Sequence, residues 1–153
     1  MDIKFIVVGK IKEKFLTDGI NEYIKRIKPF CNLNIIEIKE LNYEDRVKNL
    51  QLEGENILKN IFNSDYVITL EINGKMLSSE ELASFISNHY TYNNKTITFI
   101  IGSSDGMSED VKKRSDYKLS FSKMTFPHQL MRLVFLEQLY RAFSIINNQK
   151  YHK

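Results

Sequence analysis

Residues 119–146 read LSFSKMTFPHQLMRLVFLEQLYRAFSII, and this stretch says more about the architecture than any other part of the 153-residue chain. It completes a short apolar strand pattern, passes Pro127 and continues as a helical segment, Leu130–Ile146, that is apolar at most positions. An ordinary surface helix carries one apolar stripe. Here only Glu137, Gln138, Arg141 and Ser144 share a polar sector. The helix therefore needs cover on most of its sides.

Two arrangements would provide that cover. A homodimer interface is one, because such interfaces resemble a protein core cut in half. The other is a central position for the helix inside one larger core. We favour the homodimer because 153 residues leave little room for the second arrangement.

Upstream of this stretch, apolar runs typical of buried strands alternate with helical patterns. Three helical patterns occur. The first ends before Pro29, the second covers residues 47–61, and the third starts at a Ser-x-x-Glu capping box at Ser78. Such alternation predicts an α/β fold with a mainly parallel sheet, and the absence of a linker predicts a single domain over residues 1–153. The predicted strands are Ile3–Val8, Leu33–Ile38, Tyr66–Ile72, Thr96–Ile101 and the weaker Tyr117–Phe121.

Composition narrows the class of protein further. Hydrophobic residues make up 42% and charged residues 27%, close to the globular average. No apolar run reaches the roughly 18 residues that cross a bilayer, and the N-terminal segment reads as a strand rather than a signal peptide. Cys31 is the only cysteine and there are three histidines, so we expect neither an internal disulfide nor a metal site. We expect a cytoplasmic protein.

The charges are divided unequally along the chain. Residues 1–110 hold 13 Lys and Arg against 17 Asp and Glu, a net charge of −4, whereas residues 111–153 hold 9 against 2, a net charge of +7. This division suggests that the C-terminal third faces an anion such as a phosphate backbone. A solvated basic surface would give the same arithmetic.

The familiar nucleotide motifs are missing, and a glycine loop occurs elsewhere. Gly9–Lys12, after the first strand, is not a G-x-G-x-x-G fingerprint, and no P-loop occurs in the chain. Glycines instead follow the fourth strand at Gly102 and Gly106. Ligands of open α/β sheets bind outside the carboxyl ends of strands, so this loop is a candidate binding element. A tight strand-to-helix turn is the alternative.

The segment after the fifth strand is a second candidate. Phe121, Met124 and Phe126 could enclose an aromatic ring while the loop backbone binds its edge; they could equally cap the core. His128 and Arg132 share a helix face at i, i+4, where an arginine needs an anion or an acceptor unless it reaches solvent.

Two further groups lie towards the end of the sequence. Glu137 and Arg141 are spaced i, i+4, which usually produces only a solvated ion pair. The last residues are Tyr151, His152 and Lys153, an aromatic ring, an imidazole and an ammonium. These groups suit stacking on a base and holding its phosphate, although terminal residues are often disordered.

Taken together, these motifs resemble the RlmH family of small SPOUT-class methyltransferases. The resemblance is carried by the glycine loop after the fourth strand and by LSFSKMTFPH, EQLYRA and the final YHK. It also includes VGKIKEK at residues 8–14 and LEINGK at residues 70–75, and so extends over essentially the whole chain.

The resemblance implies a fold and a reaction. Family members have a parallel α/β sheet with a deep C-terminal trefoil knot, form homodimers, and bind S-adenosylmethionine in the knot. They methylate N3 of a pseudouridine in 23S ribosomal RNA, in the hairpin that bridges the ribosomal subunits. The cofactor residues implied for this chain are Leu70, Gly102, Phe121, Ser122, Lys123, Met124, Thr125 and Phe126.

The resemblance also implies a composite active site, in which the C-terminal tail of one protomer reaches the cofactor of the other. We expect His128, Arg132, Tyr151 and His152 to be catalytic, with either histidine as the base, and Arg141 and Lys153 to bind RNA. One position departs from the family: relatives commonly have Gly-Gly after the fourth strand. If the second position needs φ > 0, Ser103 strains the turn by about 1–2 kcal/mol.

Two other functional classes remain open. A non-catalytic RNA-binding protein would use the basic C-terminal third as its contact surface and would have no affinity for S-adenosylmethionine. A flavodoxin-like or nucleotide-binding α/β domain would need a phosphate loop after the first strand, which Gly9–Lys12 does not provide.

Overall fold

The computed structural model describes residues 1–153. Five strands and five helices alternate along the chain, as the sequence predicts. The strands are β1 (Asp2–Val8), β2 (Asn32–Ile38), β3 (Tyr66–Met76), β4 (Ile97–Ile101) and β5 (Tyr117–Ser120). The helices are α1 (Lys14–Ile27), α2 (Arg46–Leu58), α3 (Ser79–Asn93), α4 (Glu109–Arg114) and α5 (His128–Ile146).

The strands form one sheet in the order β2-β1-β4-β3-β5, and every pair is parallel. This confirms the predicted α/β class. The helices divide between the two faces: α1, α3 and α5 share one core cluster with the sheet, and α2 and α4 share the other. Alternate side chains of β1 enter these two clusters, with Phe5 on the α5 side and Ile6 on the α2 side. Burial on both faces accounts for the nearly continuous apolar runs of the central strands.

Local signals in the sequence account for several element boundaries. The Ser78 hydroxyl accepts the Glu81 amide (3.0 Å), and the Glu81 carboxylate accepts the Ser78 amide (2.6 Å), so the predicted capping box starts α3. Ser108 caps α4 by accepting the Val111 amide. β3 continues beyond the predicted Ile72, and its register against β5 shifts between Leu70 and Lys75.

Helix α5 lies on the sheet between α1 and α3. Phe135 reaches the sheet, with its ring centroid 4.3 Å from that of Phe5 and 4.7 Å from that of Phe99. No residue of α5 is exposed, because the sheet face and two neighbouring helices already cover it. The sheet and two helices of one chain thus provide much of the cover that α5 needs, and the homodimer stays a prediction. The apolar side chains of α5 that stay half-buried are Leu130, Leu133, Val134, Tyr140, Ile145 and Ile146.

None of the helices is both long enough and apolar enough to cross a membrane. Cys31 is buried and unpaired, and burial raises the pKa of its thiol to about 12. The thiol therefore stays protonated near neutral pH and acts as a small apolar side chain.

Candidate functional site

A cavity of about 610 Å³ opens at the carboxyl ends of the strands. Its walls come from the end of β3, from the glycine loop after β4 and from the segment between β5 and α5. These are the two loops that the sequence singled out, and the fold brings them to opposite sides of one space. A cavity of this size suits a ligand of nucleoside dimensions or larger.

The glycine loop is a tight turn that needs its glycines. A Cβ on Gly102 would lie 2.3 Å from the Gly106 carbonyl oxygen and 2.6 Å from Cγ of Met107, so no side chain fits there. Ser103 and Gly106 exchange backbone hydrogen bonds of 3.1 and 2.9 Å across the turn. The positive φ falls on Gly106, at +97°, and not on Ser103. The expected strain at Ser103 is therefore absent.

Behind this turn lies a buried carboxyl group that the sequence analysis did not single out. Glu53 of α2 is 3% exposed and accepts the Leu41 amide at 2.8 Å. Burial raises its pKa. The neighbouring Gly54 lets α4 approach, since a Cβ there would lie 2.2 Å from Oγ of Ser108. The glycine inside the helical pattern of residues 47–61 is the signal in the sequence for this close approach.

The predicted cofactor residues gather at the cavity with one exception. Seven of the eight line it: Leu70, Gly102, Phe121, Ser122, Met124, Thr125 and Phe126. Lys123 is exposed and lies outside the lining. Met124 and Phe126 are 75% and 37% exposed, so the rim carries apolar side chains that face solvent in the single chain.

The first turn of α5 separates two residues predicted to act together. His128 lines the cavity, with a buried and unpartnered Nε2 on the Gly9 side. Arg132 is 3% exposed and does not line the cavity. Its guanidinium donates to the carbonyl oxygen of Gly9 (2.9 Å) and to the carboxylate of Glu37 (3.1 Å). Burial lowers the pKa of Arg132, and the charge of Glu37 opposes that shift. The acceptors that a buried arginine needs are therefore groups at the ends of β1 and β2.

The remaining predicted residues meet at the other end of α5. The Glu137 carboxylate accepts hydrogen bonds from Nε and Nη2 of Arg141 and from the Tyr151 hydroxyl at 3.0 Å. The Arg141 guanidinium lies 4.8 Å from the Tyr151 ring centroid, and the Tyr151 hydroxyl is 3.2 Å from that of Tyr23. Burial and these two hydroxyl contacts raise the pKa of Tyr151, so its phenol stays protonated and donates to Glu137.

His152 extends this cluster to α3. Its Nδ1 is 3.2 Å from Nη1 of Arg141, and its Nε2 is 2.8 Å from Oε1 of Glu80. Lys153 is exposed. The terminal residues are therefore docked on α5 and α3. His128 and Arg141 are thirteen positions apart in α5, a rise of about 20 Å. One chain therefore holds the cavity well apart from the tail cluster (Glu80, Glu137, Arg141, Tyr151 and His152).

No three His, Cys, Asp or Glu side chains lie close enough together to hold a metal ion. The groups available for chemistry are thus a partly apolar cavity with one imidazole at its wall, and a cluster of ionisable and aromatic side chains about four turns of helix away.

This fold and this cavity define a SPOUT methyltransferase. A family profile described as "Predicted SPOUT methyltransferase" matches residues 1–152. Two solved structures share the fold at low sequence identity. A probable methylase family protein from Haemophilus influenzae has a TM-score of 0.57 at 16% identity, over 99% of this chain and 70% of its own. A probable methyltransferase from Bordetella pertussis has a TM-score of 0.55 at 11% identity, over 92% and 93% of the two chains.

Relatives of much higher identity are named ribosomal RNA large subunit methyltransferase H. The protein from Carboxydothermus hydrogenoformans is 50% identical and that from Alkaliphilus oremlandii 53%, each over the full length of both chains. The chain belongs to the family of ribosomal RNA large subunit methyltransferase H, and the resemblance found in its sequence motifs is confirmed.

Proposed function

We propose that the protein is an S-adenosylmethionine-dependent methyltransferase that methylates N3 of a pseudouridine in 23S ribosomal RNA. The cavity between the glycine loop and the β5–α5 segment is the observation that carries the proposal, because both walls are built from the motifs shared with the family. Relatives of 50–53% identity along the whole chain bear the name of a large-subunit ribosomal RNA methyltransferase. The acceptor nucleotide is expected in the inter-subunit bridge hairpin, and a ribosomal substrate implies a cytoplasmic enzyme.

The residues at the cavity fit S-adenosylmethionine. Phe121 and Phe126 offer aromatic surface for the adenine ring, and Gly102 lets a ligand approach the backbone. When bound, this cofactor supplies a methyl group on a sulfonium, which is already a strong electrophile. The chain's own tasks are then to align the acceptor nitrogen and to remove its proton.

We further propose that Phe121–Phe126 forms the loop of a trefoil knot. After β5, at one edge of the sheet, the chain passes the carboxyl ends of the strands and returns as α5 above the middle of the sheet. Arg132 then bonds to the carbonyl at the end of β1. The glycine loop and the segment between β5 and α5 line the same cavity, which supports the knot.

The separation between cavity and tail cluster supports a homodimer. The tail cluster lies about 20 Å along α5 from the cavity of its own chain, whereas the tail of a second protomer could lie over the cavity. Half-buried apolar side chains of α5 and the exposed rim residues Met124 and Phe126 offer apolar surface for such an interface. The composite site implied by the family would then be completed across the dimer.

Within that site, each side chain has a proposed task. Arg141 and Lys153 hold RNA phosphates, and Tyr151 stacks on or hydrogen-bonds to the target region. His128 or His152 removes the proton from N3. We do not assign Arg132 to the substrate, because Glu37 and the Gly9 carbonyl already occupy its guanidinium.

Mass spectrometry of ribosomal RNA tests the reaction. RNA from cells that lack the protein should lose one methyl group on the bridge-hairpin pseudouridine, and purified enzyme with S-adenosylmethionine should restore it. Calorimetry with S-adenosylmethionine separates catalysis from simple RNA binding. Salt-sensitive RNA binding without any binding of millimolar cofactor would support the non-catalytic RNA-binding alternative. A gel-filtration mass near 18 kDa would exclude the dimer.

A further inference from the structure

The contacts of His152 fix the position of its ring proton. A guanidinium can only donate hydrogen bonds, so the contact of 3.2 Å between Nη1 of Arg141 and Nδ1 of His152 makes Nδ1 the acceptor. Nε2 lies 2.8 Å from Oε1 of Glu80, and an ionised carboxylate can only accept. Both contacts are satisfied together only by a neutral imidazole that carries its proton on Nε2.

The Glu80 carboxylate is available to accept a hydrogen bond from His152 because its neighbour Glu81 completes the capping box. Ser78 and Glu81 form the two hydrogen bonds of the capping box at the start of α3, and the Glu80 carboxylate takes part in neither of them. The hydrogen bond from His152 lowers the pKa of Glu80, so the group remains a carboxylate near neutral pH. Glu80 lies outside the cavity and belongs to none of the family motifs identified in the sequence.

We infer that Glu80 is a positioning residue for His152: it holds the Nε2 proton and so leaves Nδ1 as the ring nitrogen that accepts a proton. The inference deepens the proposed function and rests on it. In the docked tail, Nη1 of Arg141 covers Nδ1. A phosphate that takes over this donor would uncover Nδ1 beside the bound RNA. The proton of N3 would then move to Nδ1, and the Glu80 carboxylate would balance the charge of the resulting imidazolium.

Two substitutions separate the orienting effect of Glu80 from its charge. Glu80→Gln keeps an oxygen that accepts from Nε2 but removes the charge, whereas Glu80→Ala removes both. Glu55→Ala is the matched control, since Glu55 is an exposed helical glutamate on α2, on the opposite side of the sheet. Each variant is examined as the full chain by ¹⁵N NMR of the imidazole rings and by steady-state methylation of ribosomes. His152→Asn identifies the signals of His152.

We expect wild-type His152 to show protonated Nε2 and unprotonated Nδ1, Glu80→Gln to retain this tautomer, and Glu80→Ala to give a mixture. We expect kcat to fall about tenfold in Glu80→Ala, by analogy with the loss of groups that orient metal-bound histidines. Glu80→Gln should keep part of the kcat that Glu80→Ala loses. In both variants, KM for ribosomes and affinity for S-adenosylmethionine should stay within about twofold of the control. Such a split is not expected from a merely structural role.

Three results would overturn the inference: a wild-type His152 with its proton on Nδ1, a Glu80→Ala protein with an unchanged tautomer, or an unchanged kcat despite a changed tautomer. Failure of the proposed function is a separate outcome. In that case the wild-type protein would methylate no ribosomal RNA, while the NMR experiment, which needs no RNA, would still decide whether Glu80 orients His152.

Discussion

Helix α5 carries an arginine near each end, and the two side chains occupy opposite environments. The side chain of Arg132 is 4% exposed and bonds to a backbone carbonyl and to Glu37. The side chain of Arg141 is 25% exposed and bonds only to side chains of the tail cluster. Buried polar contacts to backbone are hard to replace, whereas half-exposed ones can be exchanged for a ligand. Arg132, at the cavity end of α5, thus stabilises the fold, whereas the contacts of Arg141, at the tail end, can be replaced by contacts to a ligand.

Paired alanine substitutions test this contrast and give the largest expected effect. Arg132→Ala should lower the free energy of unfolding by about 3 kcal/mol, the low end for breaking a buried ion pair, because Glu37 is half-exposed and can be hydrated again. Arg141→Ala should cost no more than about 1 kcal/mol. Urea denaturation measures both. The effects on ribosome methylation should have the opposite order: among the folded proteins, Arg141→Ala should lose more kcat/KM than Arg132→Ala.

The contrast between Arg132 and Arg141 would be wrong if Arg132→Ala kept the stability of the wild type but lost affinity for RNA. Arg132 would then be a substrate residue after all, as the sequence first indicated. Arg132→Lys serves as a control for charge, because lysine keeps the charge but lacks the fork that bonds to Gly9 and Glu37 together. Its stability should lie between those of the wild type and Arg132→Ala.

At the cavity end, the glycine loop should be the next most sensitive element. Gly102→Ala places a Cβ 2.3 Å from the Gly106 carbonyl, so the turn must open at a cost of about 2 kcal/mol. Because this turn walls the cavity, we expect the affinity for S-adenosylmethionine to fall at least tenfold, or about 1.4 kcal/mol. Calorimetry measures the affinity.

Lys123→Ala is the control, because that side chain lies outside the cavity lining. It should leave the affinity for S-adenosylmethionine within about twofold of the wild type, a change of less than 0.5 kcal/mol. Equal losses in Gly102→Ala and Lys123→Ala would mean that the glycine loop is not the cofactor wall.

The strand and helix order could be predicted because the signals are local. β1 and β2 match their apolar runs to within one residue, and α3 starts at its capping box. β3 was predicted too short because its last residues are held by pairing with β5, where Gly74 lets the two backbones approach closely. Nothing in the apolar run Tyr66–Ile72 contains that information.

The environment of the site residues could not be predicted in the same way. Spacing places His128 and Arg132 on one helix face, but not which groups oppose that face; Glu37 lies 95 positions away in the sequence. The contact between His152 and Glu80 joins residues 72 positions apart. Such pairings depend on how helices pack across the sheet, and a pattern within one helix does not record its neighbours.

At the tail end, a small change in stability should accompany a large change in activity. Tyr151→Phe removes the hydroxyl that donates to Glu137 and contacts Tyr23, at a cost of about 1 kcal/mol or less. The ring remains against Arg141, so the fold should be unaffected. We expect ribosome methylation to fall about tenfold, since a displaced tail misaligns its partners.

Tyr23→Phe is the matched control for that substitution. It removes the other hydroxyl of the pair but leaves the contact between Tyr151 and Glu137 in place. Its methylation rate should stay near that of the wild type. If the two variants lost activity equally, the tail would act through its packing on α1 and not through Glu137.

The smallest expected effect is the pH dependence that arises from Glu53 behind the cavity. Burial raises the pKa of this carboxyl in the folded protein above that of an ordinary glutamate, about 4.3. Between the pKa of Glu53 in the unfolded chain and its higher pKa in the folded protein, the folded chain binds more protons than the unfolded chain. The free energy of unfolding therefore falls as the pH rises through this window and is constant above it. Glu53→Gln cannot ionise and lacks the dependence. The wild-type free energy of unfolding minus that of Glu53→Gln, measured from pH 4 upward, should therefore decrease. A difference that rises with pH would show that the hydrogen bond from the Leu41 amide outweighs burial and lowers the pKa of Glu53.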